Sequence, residues 1–126
     1  MKKQLLIASA LLVTAISFAQ KDELKAAEKA LKGGNSAEAK AALESASALI
    51  ANADEKTKAQ FYYLKGKTYY DMAQKGDATA YEPAVKAYKD LIALEEGSKT
   101  KKYTSEVNGT LQNISASLVN EAIKDN

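Results

Sequence analysis

The chain contains no cysteine, no histidine and no tryptophan, and all 18 of its basic residues are lysine. Without cysteine there can be no disulfide, no thiolate nucleophile and no cysteine-linked lipid anchor. Lack of histidine removes Ser-His-Asp and Cys-His catalytic systems, zinc sites of the usual ligand types and imidazole proton shuttles. With no arginine, the planar fork that reads phosphates and base edges bidentately is missing, so no nucleic-acid partner is expected. Gly33-Gly34-Asn35 is too short for a phosphate-cradling loop and lacks its lysine and hydroxyl. The carboxylate pairs Asp54-Glu55 and Glu95-Glu96 sit at expected helix ends, where the helix dipole and solvent account for them. No catalytic residue, metal site or cofactor is therefore expected, and the chain is not expected to be an enzyme.

Proline is also scarce, with one residue at Pro83, and glycine is limited to six positions. What remains is a helix-forming sequence behind a leader. Lys2 and Lys3 precede an almost wholly apolar run from Leu5 to Ile16, and Ser17-Phe18-Ala19 places small residues where signal peptidase reads them. Residues 1–19 are thus expected to be a signal peptide, cleaved after Ala19 to leave Gln20 first and the domain over residues 20–126. The run is well short of the ~20 residues that span a bilayer. An uncleaved anchor is the alternative. No membrane span is expected in the mature chain, which is placed in the periplasm or outside the cell. Lys2 and Lys3 also account for the whole formal charge of +2, so the remaining domain is neutral.

Periodicity predicts five helices. The first, from about Asp22 to Lys32, carries Leu24, Ala27 and Leu31 on one face and ends at Gly33-Gly34. Asn35, with Glu38 three residues on, predicts a capping box opening a helix with Ala39, Leu43, Ala46 and Ile50 inward, ending near Ala51. The third runs from about Asp54 to Gln74, with Phe61, Tyr62, Gly66, Tyr69, Met72 and Ala73 on one arc and Leu64 on the polar side. Thr79 and Glu82 predict a second capping box, with Pro83 inside the tolerant first turn of a helix burying Ala84, Tyr88 and Leu91. The fifth spans about Thr104 to Lys124 and presents Val107, Leu111, Ile114, Leu118 and Ala122. No segment alternates with the two-residue period of a strand, so the fold class is all-α.

Two of these segments repeat one another. Gly34-Asn35 followed by Ala39, Leu43 and Ala46 parallels Gly76-Asp77 followed by Ala84, Tyr88 and Leu91. Tyr62, Gly66 and Tyr69 stand ahead of the second set, Ala27 and Ala30 ahead of the first. This pattern of large aromatic, small residue, tyrosine, then alanine and an aromatic resembles the tetratricopeptide repeat (TPR) family. Ala39 and Ala84 lie further apart than the about 34 residues of a regular array, and Lys65 replaces the usual aliphatic residue. An unrelated bundle alternating large and small residues is the rival reading. The resemblance implies antiparallel hairpins stacked as a short right-handed solenoid, with the fifth helix either a cap or the start of a further unit. Asp125-Asn126 resembles the turn to such a partner helix.

In that family the first helices of successive hairpins line a groove. The resemblance puts Tyr62 and Tyr69 in the core and turns Tyr63, Lys67, Tyr70 and Asp71 toward the groove as contacts for a peptide or protein partner. Tyr63, Lys67 and Tyr70 share one stripe of helix surface, and tyrosine offers flat apolar area plus a hydroxyl. Their alternative role is simply packing against the neighbouring helix pair. The implied function is a non-catalytic secreted scaffold or adaptor. An N-terminal module of a longer envelope protein and a helical carrier of a small apolar ligand remain open beside it. The glycosylation-like triplets Asn108-Gly109-Thr110 and Asn113-Ile114-Ser115 are read as coincidence, because Ile114 belongs to an apolar face.

Overall fold

The computed structural model describes residues 18–99 and 101–124. The expected signal peptide falls mostly on residues 1–17, and with the Asp125-Asn126 turn that stretch lies outside the described residues. The described residues form five α-helices and two short 3-10 turns with no strand, the all-α class that the periodicity predicts. Helix α1 covers residues 18–32, starting before the expected Asp22 and running through Ala19-Gln20. Helix α2 is Ser36–Ser47, α3 Glu55–Gln74, α4 Tyr81–Glu96 and α5 Thr104–Lys124. Turns at Ile50–Asn52 and Ala78–Ala80 precede α3 and α4. Among the described residues no helix is long and apolar enough to cross a membrane.

Two matching turns make the hairpins. At Gly34 (φ 77°) and Gly76 (φ 117°) the backbone enters the left-handed region, which glycine tolerates for want of a Cβ. The amide of Gly34 donates to Leu31 O and that of Asn35 to Ala30 O; Gly76 donates to Ala73 O and Asp77 to Met72 O. This is the same two-bond helix stop in both places, satisfying carbonyls that would otherwise lack partners. Asn35 Oδ1 then accepts from the Glu38 amide at 3.1 Å, the expected cap. The reciprocal half differs from expectation. Because the Asn35 amide already closes α1, the Glu38 carboxylate accepts from the Asn35 side-chain Nδ2 at 2.9 Å instead. The expected Thr79–Glu82 box does not form: Asp77 Oδ1 accepts from the Thr79 amide, and the Ala78–Ala80 turn carries the chain into α4. Asp54 caps α3 by accepting from the Thr57 amide at 2.7 Å.

Helix α3 lies between two apolar clusters. On one side Phe61 and Leu64 join Leu24, Ala27, Ala42, Leu43, Ala46 and Ile50 of α1, α2 and the following turn. On the other, Ala59 and Ala73 join Tyr81, Tyr88 and Leu91 of α4 and Val107 and Ile114 of α5. Tyr62 packs against both clusters. Leu64, expected on the polar side, is therefore buried, because α3 has two packed faces rather than one. Tyr62 and Tyr69, expected in the core, are only half-buried.

The tightest approach lies between α3 and α4. A Cβ placed on Gly66 would run into Cε1 of Tyr88, and the Tyr88 ring is only 2% exposed. No such crowding surrounds Gly109 in α5. The expected apolar face of α5 is used only in its first half. Val107 and Ile114 are buried, but Leu118 and Ala122 are exposed, as are Val119 and Ile123, because the partner helix α4 covers only the N-terminal turns.

Gly66→Ala is expected to destabilise the fold by about 1–3 kcal/mol through overpacking against Tyr88, even though alanine is the better helix former. Gly109→Ala should instead stabilise by roughly 0.8–1 kcal/mol, since only helix propensity changes there. Thermal unfolding of the two variants checks the opposite signs. An unchanged or raised Tm for Gly66→Ala would mean the α3–α4 interface is looser than the ring contact implies.

Candidate functional site

The C-terminal ends of α1 and α3 lie side by side, since Lys75 Nζ donates to Gly34 O across the two helix ends at 2.9 Å. The helices thus run in the same direction, with α2 packed behind them. Between them is a groove of about 430 Å³, with Glu28, Leu31 and Lys32 on the α1 wall and Tyr63, Leu64, Lys67, Asp71 and Gln74 on the α3 wall. Three of the four expected contacts, Tyr63, Lys67 and Asp71, line it. Tyr70 does not; it packs half-buried against the cluster shared with α4 and α5. At roughly 100° per residue, Gln74, Lys67 and Asp71 fan to one side of Tyr63, whereas Tyr70 and Gly66 fall on the other.

Tyr63 stands on that dividing line and serves both sides. Its ring stacks on Tyr103 with centroids 4.3 Å apart and planes at 20°. Its hydroxyl reaches both carboxylate oxygens of Glu106, at 2.7 and 2.8 Å, tying α3 to α5. Lys67 Nζ donates to the same hydroxyl at 3.3 Å and lies 5.0 Å from the ring centroid. The ring face expected for a partner is therefore already occupied by Tyr103.

The charges along the groove are mostly paired within one wall. Glu28 pairs with Lys32 at 3.2 Å, and Asp71 with Lys75 at 2.8 Å, both four residues apart on one helix. The exposed Glu28–Lys32 pair contributes little to stability and is readily exchanged for a ligand group, whereas Asp71 is half-buried. Among the described residues, Lys67 has no carboxylate within ion-pair distance. Among those residues its ammonium is held by a neutral hydroxyl and a ring face. The groove thus joins an apolar floor, Leu31 and Leu64, to one lightly held cation.

Burial, then the bond to Glu106 and its negative charge, push the Tyr63 phenol well above its ordinary pKa of 10.0. Tyr88 is raised likewise, mainly by burial and then by Tyr63, Glu106 and Tyr70 around it. Asp54 moves the other way, lowered by the Thr57 hydrogen bonds that make it a cap.

Sequence reasoning missed Glu95. Expected at a solvated helix end beside Glu96, it is only 3% exposed. Its carboxylate accepts from the Tyr103 amide at 2.9 Å and the Thr104 hydroxyl at 2.9 Å, capping α5 from another helix. The only available signal was indirect: Tyr103, which precedes α5, has no side-chain acceptor suited to cap it. Among the described residues no three acidic side chains converge as a metal site would require. Comparison with protein-family models, with curated proteins and with solved structures found no match.

The raised phenols are expected to add to the loss of stability at alkaline pH. A raised folded pKa means that the stability linked to Tyr63 and Tyr88 is complete below pH 10 and is lost as pH climbs above it. In a phenolate absorbance titration, a late fraction is expected to ionise together with loss of helical circular dichroism. Glu106→Gln should bring part of that late step to lower pH, because the carboxylate charge helps hold Tyr63 protonated. An unmoved late step would show that Glu106 does not act on Tyr63 in solution.

Proposed function

We propose that the protein is a non-catalytic secreted or periplasmic scaffold of TPR-like helix hairpins, holding an extended peptide or partner-protein segment between α1 and α3. The observation that supports this most directly is the α1–α3 groove, which contains Tyr63, Lys67 and Asp71 of the contacts read from the sequence. Its volume of about 430 Å³ falls within the ordinary range for ligand sites. The matching Gly34-Asn35 and Gly76-Asp77 helix stops and the Gly66–Tyr88 contact support the hairpin-repeat reading. Stacking of the two hairpins as a short solenoid is part of the same proposal.

The groove chemistry suggests what the segment carries. Leu31 and Leu64 offer an apolar seat. Lys67 offers a cation whose present partners, the Tyr63 hydroxyl and ring, are weaker than a carboxylate. A bound segment would therefore place an apolar side chain between the leucines and an acidic group at Lys67. Glu28, Lys32 and Asp71 would set its direction, exchanging their intrahelical pairs for the partner's groups.

A photocrosslinking side chain at Gln74, at the end of the groove, tests this in the native envelope. Discrete partners are expected there and not from the same probe at exposed Lys89 on α4. Lys67→Glu should reduce capture by about ten-fold or more, as loss of a charged hydrogen bond of roughly 1.5–3 kcal/mol implies, with helicity unchanged. Equal capture from Gln74 and Lys89, or capture indifferent to the charge reversal, would sink the groove assignment.

A further inference from the structure

A second concavity, separate from the groove, opens at the other end of α3. It has a volume of about 500 Å³ and lies between the first turns of α3, the end of α4 and the segment leading into α5. Glu55, Lys56 and Ala59 come from α3, Leu94 and Glu95 from α4, and Lys102 and Tyr103 from the segment before α5. The groove, by contrast, takes nothing from α3 before Tyr63.

The cavity is lined by one buried acid and by exposed charges of both signs. Glu95 is the one ionisable side chain among its lining residues that is buried, whereas Glu55, Lys56 and Lys102 are exposed. Capping α5 leaves part of the Glu95 carboxylate in use and part available. Oε1 accepts both the Tyr103 amide and the Thr104 hydroxyl at 2.9 Å. Among the described residues, Oε2 receives only the longer arm of the Tyr103 amide, at 3.2 Å. A carboxylate has about four lone-pair sites, so Oε2 retains accepting capacity on a side chain that borders the cavity.

The other linings narrow the ligand. Two carboxylates and two ammonium groups give a formally neutral wall. A simple anion would be drawn to the lysines but repelled by Glu95. A simple cation would meet the opposite conflict. A molecule carrying both charges satisfies both sets at once. Ala59 and Leu94, with the Tyr103 ring, form an apolar wall for a side chain. Lys102 Nζ now lies 5.2 Å from that ring centroid, a weak hold that a ligand carboxylate would outcompete.

We propose that this cavity binds a small zwitterion of the dipeptide class, its ammonium group taken by Glu95 with Glu55 and its carboxylate by Lys56 and Lys102. The site does not depend on the α1–α3 groove and stands or falls separately from it. It would give the scaffold a small-ligand input at the junction of α3, α4 and α5, because Glu95 also caps α5.

The test is an NMR titration of the full chain with alanyl-leucine, following the backbone amides of Ala59, Tyr103 and Thr104. Saturable shifts at those amides are expected. N-acetyl-alanyl-leucine and alanyl-leucine amide, each lacking one charge, should bind at least about ten-fold more weakly, the factor that corresponds to one modest charged contact. Glu95→Gln should weaken the free dipeptide similarly. Since that change also touches the α5 cap, Lys56→Ala with Lys102→Ala, both exposed, provides a variant that leaves the cap intact and should lose the same binding. Absence of saturable shifts, shifts confined to other surfaces, or equal binding of the free and blocked dipeptides would overturn the proposal. So would undiminished binding to the double lysine variant.

Discussion

The close approach of α3 to α4 at Gly66 and Tyr88 is the constraint on which the other contacts depend. With no side chain at Gly66, the Tyr88 ring lies directly on the α3 backbone and is almost wholly buried. That short interhelical distance brings Ala59 and Ala73 of α3 into one cluster with Tyr81 and Leu91 of α4. Dispersion contacts fall off steeply with distance, so this cluster exists only while the helices stay this close. It then forms the platform on which Val107 and Ile114 seat α5.

Seating α5 in turn determines what happens to the chemistry on α3. Glu106 and Tyr103 arrive beside Tyr63 only because α5 docks there, and they draw its hydroxyl and ring into a contact between helices. The start of α5 is held by a carboxylate from α4, Glu95, so the same helix is fastened at its end and on its flank. Both polar fastenings are charge-assisted, the stronger kind of hydrogen bond, and neither lies within a single helix. Tyr63 consequently links the α5 contact to the groove wall it shares with Lys67 and Asp71.

Much of the local structure was legible in advance. Asn35 caps as expected, Asp54 stands at the helix start placed there and caps it, and Gly34 and Gly76 stop helices as expected of glycine. The bounds of α3 and α5 agree with periodicity to within a residue. The misses share a cause. The Thr79–Glu82 box gave way to Asp77, which competes for the same amide region one turn earlier. Leu64 was placed on a polar face because a single moment vector cannot represent a helix packed on two flanks. Leu118 and Ala122 keep the spacing of a buried face but are exposed, because spacing alone does not bury a side chain. In the candidate groove, Tyr63, Lys67 and Asp71 were found through the repeat pattern, while Tyr70 lies one step around the helix on the α4–α5 side.

By itself the sequence determined the all-α class, the glycine helix stops at Gly34 and Gly76, and the bounds of α3 and α5. These follow from local terms: propensity, caps, left-handed glycines and the 3.6-residue period, each acting within a few residues. Tertiary structure decided which flank of α3 meets which cluster, that Tyr63 is shared between a groove and a helix contact, and that Glu95 is buried while Glu96 is exposed. Those outcomes depend on how far apart helices lie and how they cross. Periodicity locates a face on a helix, but the identity of the neighbour covering that face is a property of the packed molecule.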